Sequence, residues 1–174
     1  MEKVKAVFVS GKISSNSTGA QTLFEKSRFG VKQKDKFVYM LEEAYYLIEK
    51  KKMKLFSIDD KEMDGEIFLK KIAPLDKDFL IRYIAFRDLR NKGYIVKSAL
   101  KFGADFRIYE SGKKIDDSHS KWICFCVSEN KNLKWRDFAS KNRVAHSVKK
   151  NLLICVVDQE NDVSYYEVSW KKIV

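Results

Sequence analysis

The feature that most constrains this chain is the order of its periodic segments after Pro74, the sole proline in 174 residues. Asp76 can cap a helix reading DFLIRYIAFRDLRNK, and Gly93 suits the position just past its end. A strand, YIVKSAL, follows, then a turn, KFGAD, and a second strand, FRIYE. The glycine-containing loop SGKKIDDSHS leads into a third strand, KWICFCV. The segment WRDFASKNRVAHSVKK is helical by period, with Phe138, Val144 and Val148 toward a core. LLICVVD reads as a buried strand, DQEND as an acidic turn and VSYYEVSW as a closing strand. Strands and helices mix without regular βαβ alternation, so the expected class is α+β.

Ahead of Pro74 the pattern is looser. Val4 to Ser10 is a strand candidate, and the polar residues at 14–19 read as a loop. FVYMLEEAYYLIEKKKM has a helical period with a basic C-terminal end, LFSI is a short strand candidate, and residues 65–72 carry a weak helical signal. A boundary near 73–76 divides the chain into two modules, the first a small N-terminal mixed α/β module, residues 1–75. Residues 76–174 then form a C-terminal mixed-sheet domain flanked by helices.

A hydrophobic content of 45%, with 13% aromatic residues, suffices for packed cores. No apolar run approaches the ~20 residues that span a bilayer, and the N-terminus MEKVKAVFVSGK lacks a signal-peptide apolar region. The expectation is a soluble, cytoplasmic protein. Cys124, Cys126 and Cys155 alternate in or sit within apolar strands, which fits reduced thiols packed as small hydrophobes. No CxxC or paired histidines occur, so neither a metal nor another cofactor is expected. The charge of +11 favours a polyanionic partner, although a lysine-rich solvated surface accounts for it as well.

Phosphate-cradling glycine loops, GxSxG and HExxH are all absent. The acidic groups Asp158-Glu160-Asp162 and Asp116-Asp117 fall in loops, where solvation is the default. His146 lies mid-helix and suits a packing role. His119 lies in a polar loop between Ser118 and Ser120, where packing gives no reason for it. Cleaving RNA without a metal needs a base for the ribose 2′-OH, an acid for the departing 5′-oxygen and a fixed cation for the phosphorus-centred charge. Histidine suits proton transfer near neutrality, lysine suits the cation, and a tyrosine beside lysine can be acidified enough to act as a base. Many Tyr/His/Lys trios in this chain satisfy those needs, and chemistry alone does not choose among them.

Residues 83–112, YIAFRDLRNKGYIVKSALKFGADFRIYESG, resemble the signature of the archaeal tRNA-splicing endonucleases and their eukaryotic counterparts. RVAHSVKKNLLICVVD, residues 143–158, resembles that family's second block, with the histidine loop between the two. The N-terminal third resembles the family only in general character. The resemblance implies Tyr109 as general base, His119 as general acid and Lys150 as the stabilising cation. Lys149 is a rival for the last role. It further implies a 2′,3′-cyclic phosphate and a 5′-hydroxyl as product ends, without a metal.

Family members grip a bulged base between two side chains, which implies RNA-binding roles for Arg143 and Trp170. A half-buried strand-end aromatic is the other reading of Trp170. Arg143 and Lys150 are seven residues apart, roughly 10 Å and two turns if the helix runs through both, which would set them on one face. The implied substrate is precursor tRNA with bulge-helix-bulge junctions, cut by two sites across a dimeric assembly. The partner is another copy of the chain or a paralogous structural subunit. The acidic loop Asp158, Glu160, Asp162 is implied at that subunit interface. A non-catalytic structural subunit and a basic RNA-binding module are the rival readings.

Overall fold

The computed structural model describes residues 2–110 and 120–171. The chain divides into two compact units, Met1–Leu80 and Ile81–Val174, each with its own sheet.

In the first unit, β1 (Val4–Val9) alternates buried and exposed residues and turns back into β2 (Lys12–Ser15). Ser10 and Gly11 both have positive φ, 48° and 79°, as the tight two-residue hairpin turn requires. The stretch expected as a loop at 14–19 is therefore partly strand, and helix α1 (Thr18–Ser27) begins inside it. A second hairpin joins β3 (Val31–Gln33) to β4 (Lys36–Tyr39). Phe37 to Tyr39, expected as helix, belong to that strand, and α2 runs only over Leu41–Glu49. The buried Glu43 carboxylate fixes this start, accepting from the Met40 N–H at 3.2 Å and the Gly30 N–H at 3.1 Å. Strands β5 (Met53–Phe56) and β6 (Glu62–Met63) follow, then α3 (Gly65–Ile72), capped by Asp64 at 2.8 Å. The sheet order is β3-β4-β2-β1-β5-β6, with β1 and β5 parallel. Phe68 forms the core, its ring 5.7 Å from Tyr45 and 6.1 Å from Phe79. Burying such a ring contributes roughly 1.5–3 kcal/mol.

The second unit contains the body of α4 (Phe79–Asn91), β7 (Ile95–Ser98), β8 (Phe106–Tyr109), β9 (Trp122–Ser128), α5 (Trp135–Ser147), β10 (Asn151–Val157) and β11 (Val163–Val168). Helix α4 starts three residues after Asp76, whose carbonyl closes a preceding turn by accepting from Phe79 N–H at 3.2 Å. Gly93, at φ 89°, ends it as expected, with Tyr94 N–H donating to Leu89 O at 3.0 Å. The sheet order is β11-β10-β9-β8-β7, mixed because β9 and β10 are parallel. Ile123, Phe125, Leu152 and Ile154 face α5 and pack with Ala145. On the opposite face Phe106 meets Phe86 of α4 at 5.9 Å, and the Tyr165 hydroxyl donates to Asp88. Phe138 and Val148 of α5 pack at the rim of the first cluster. Both units are α+β, the expected class. Among the described residues no helix is long and apolar enough to cross a membrane.

Candidate active site

Strand register decides which residues meet. Tyr109 pairs with Ile95, Ile108 with Trp122, Trp122 with Asn151, and Leu152 with Val168. The C-terminal ends of β8 and β11 and the N-terminal ends of β9 and β10 therefore share one edge of the sheet. Tyr109 ends β8, Lys150 precedes β10 by one residue, and Trp170 follows β11 by two. Asp158, Glu160 and Asp162 lie at the opposite edge, in the hairpin between β10 and β11.

Tyr109 is 7% exposed. It shares its side of β8 with Arg107, which pairs with Ile123 of the α5 face. Arg107 Nε donates to Ser98 O at 3.0 Å and its guanidinium stands over the Phe102 ring at 6.0 Å.

Lys150 occupies the end of α5. Lys149 adopts φ 57°, and Lys150 N–H donates back to Ala145 O at 3.0 Å, so the helix is closed before either lysine. The helical spacing expected to set Arg143 and Lys150 on one face therefore does not continue to Lys150. The reversal leaves Lys149 exposed, while Lys150 Nζ donates to the Ser120 carbonyl at 2.7 Å. Burial lowers the Lys150 pKa below the usual lysine value, and the nearby Arg107 cation lowers it further.

His119 lies outside the described residues, as do Asp116, Asp117 and Ser118. The residues flanking that segment are fixed. Lys121 N–H donates to Ile108 O at 3.0 Å, and Lys121 Nζ pairs with Glu110 at 3.0 Å. That hydrogen bond raises the Lys121 pKa. Ser120, next to His119, is 4% exposed. Its carbonyl contact to Lys150 and the placement of Arg107 were missed in the sequence. The alternation of Arg107 and Tyr109 on one strand was the available signal for Arg107.

Arg143 is exposed on α5. His146 was expected in a core or packing role; it is outside the core and exposed, because Ala145 is the residue turned into the sheet, and it packs against a ring instead. Its ring lies 4.5 Å from that of Trp170, tilted by 46°. Trp170 is 49% exposed and follows the strand end.

In the acidic hairpin, Asp158 Oδ1 accepts from the N–H groups of Glu160 and Asp162, both at 2.9 Å. Glu160 and Asp162 are exposed. One carboxylate thus folds the loop and two face outward.

Among the described residues, one group could hold a metal: the sulfurs of Cys124, Cys126 and Cys155 lie within 4.8 Å of one another. Cys124 and Cys155 are fully buried, their sulfurs 3.0 Å apart, and burial pushes the thiols of Cys124 and Cys126 up. The three lie on the α4 side of the sheet, whereas Tyr109 and Arg107 face the other side.

Residues 79–165 match the family model described as tRNA intron endonuclease, catalytic C-terminal domain. Residues 4–69 match the corresponding N-terminal domain, so the N-terminal third belongs to the same family and does more than resemble it in character. A tRNA-splicing endonuclease of Nanoarchaeum equitans is 47% identical over 136 residues, covering 75% of this chain and 86% of its own length. Another, from Pyrococcus horikoshii, is 38% identical over 174 residues, 99% of each chain. A third, from Methanothermobacter thermautotrophicus, is 41% identical over 87% of each. With both domains matched in order and relatives aligned along nearly its full length, the chain belongs to the tRNA intron endonuclease family.

Proposed function

We propose that this chain cuts introns from precursor tRNA at bulge-helix-bulge junctions, using Tyr109, His119 and Lys150 and no metal ion. Tyr109 takes the proton of the ribose 2′-OH, and the freed oxygen attacks the adjacent phosphorus. His119 gives a proton to the 5′-oxygen as the P–O5′ bond breaks. Lys150 offsets the charge that gathers on the phosphoryl oxygens in between. The ends left are a 2′,3′-cyclic phosphate and a 5′-hydroxyl.

The observation that supports this reading best is the 2.7 Å bond from Lys150 Nζ to the Ser120 carbonyl. It holds an ammonium group against the residue next to His119, at the sheet edge where β8 ends in Tyr109. A cation already partly desolvated, its pKa depressed, interacts more strongly with an incoming phosphate, which in turn restores its proton affinity.

Arg143 and Trp170 contact unpaired bases, as exposed cationic and aromatic groups at the same edge suit stacking on RNA. The N-terminal unit serves structure and assembly. Glu160 and Asp162, facing outward on a chain of charge +11, suit a basic cleft on a second copy or on a paralogous structural subunit.

The test is incubation of the chain with bulge-helix-bulge RNA in EDTA, alone and with candidate partner subunits, followed by end-group analysis. Cuts at the two bulges with cyclic-phosphate ends are expected. Cleavage only after a divalent ion is restored, with RNA folding controlled, would sink the mechanism.

A further inference from the structure

We propose that His146 is a positioning residue that braces Trp170, so that the indole offers its free face to one unpaired base of the bound RNA. The inference deepens the endonuclease reading and rests on it. Trp170 stands two residues past the last strand, where no ladder bond limits its direction. A large side chain so placed would lose rotamer freedom on meeting a base, and that loss weakens binding. His146 supplies the restraint. It sits in the last turn of α5, a helix whose Ala145 is buried in the sheet core, so its backbone is a rigid mount. The ring centroids are 4.5 Å apart, in direct contact, and Trp170 still keeps half its surface in solvent. The indole is thus in contact with the imidazole while about half of its residue surface stays open to solvent.

Arg143 lies one turn earlier on the same helix and is also exposed. Residues three apart are neighbours on a helix surface. Arg143 is therefore within side-chain reach of the His146–Trp170 pair, so a base entering there can meet an aromatic plane and a cation, the combination that binds unpaired bases without reading their sequence. A histidine that only tethered the chain past β11 would not need to leave the indole half-exposed.

The experiment uses the full chain and bulge-helix-bulge RNA carrying 2-aminopurine at each bulge position in turn. Fluorescence quenching on binding and the single-turnover cleavage rate at saturating enzyme are read together. His146→Ala and Trp170→Ala should each abolish quenching at the same bulge position and slow cleavage about tenfold. The double variant should be no slower than either single one, because both act through one contact. His146→Phe, which keeps a flat ring, should restore quenching and bring the rate to within about twofold. Affinity for an uninterrupted duplex should stay unchanged in all variants.

Wild-type quenching and rate in His146→Ala would overturn the proposal. So would effects that multiply in the double variant, or failure of the phenylalanine to rescue a His146→Ala loss. Quenching without any cutting by the unaltered chain would refute the endonuclease reading and leave the platform standing. Cutting with no quenching at any bulge base would do the reverse.

Discussion

Lys149 and Lys150 are adjacent and chemically alike, and the backbone gives them different tasks. Lys149 takes the left-handed position that ends α5, at φ 57°, which costs a residue with a Cβ roughly 1–2 kcal/mol. Lys150 directly precedes β10 and its Nζ reaches the Ser120 carbonyl. Lys149→Gly should therefore stabilise the chain by about 0.5–1 kcal/mol, since glycine adopts that conformation freely. Thermal unfolding checks it, and an unchanged or lower melting temperature would contradict the cap. In the sequence, Tyr109 and Lys150 are singled out only by the family pattern. Their placement at the same end of one sheet is not legible there, because it depends on β9 pairing in parallel with β10 across about thirty residues, and periodicity reports local structure only. The core alternative for His146 fails for a related reason. Period alone gives a helix face, but its neighbour Ala145 fills the tight contact with the sheet.

Among the elements, α4, α5 and the strands β8 to β11 were legible, since their apolar residues recur at helical or strand spacing or run together, even though α5 buries only Ala145 and β11 buries none. The hairpins β1–β2 and β3–β4 were less so. β3 is exposed at all three positions, so it shows no alternation at all. The β1–β2 turn did carry a signal, the Ser10-Gly11 pair with positive φ at both residues. The acidic hairpin between β10 and β11 shows that like charges can have unlike roles. Asp158 is consumed in holding the loop, so only Glu160 and Asp162 are available to a partner. Glu160→Lys with Asp162→Lys should abolish assembly while leaving thermal unfolding of the chain within a few degrees. Analytical ultracentrifugation reads this, and an unaltered mass would return the loop to plain solvated surface. Asp158→Ala should instead loosen the hairpin itself, losing two hydrogen bonds worth together about 1–3 kcal/mol.

At the scale of the whole molecule, two units each carry their own sheet and core, and Tyr109, Lys150 and Trp170 lie at one end of the second sheet. A partner for the acidic loop is not legible in the sequence, because one chain's sequence contains only one side of any interface between unlike surfaces. The central claim is that Tyr109, His119 and Lys150 carry out the cleavage. It is tested most directly by single-turnover cleavage of bulge-helix-bulge RNA at saturating enzyme in EDTA, comparing His119→Ala, Lys150→Ala and Lys149→Ala. Loss of the proton donor should slow the first about 10²–10⁴-fold with RNA affinity little changed. Lys150→Ala should fall about 10²-fold or more, as for removal of a charge-stabilising donor. Lys149→Ala should cut at close to the unaltered rate. Near-normal cleavage by His119→Ala, or equal losses in the two lysine variants, would contradict the account.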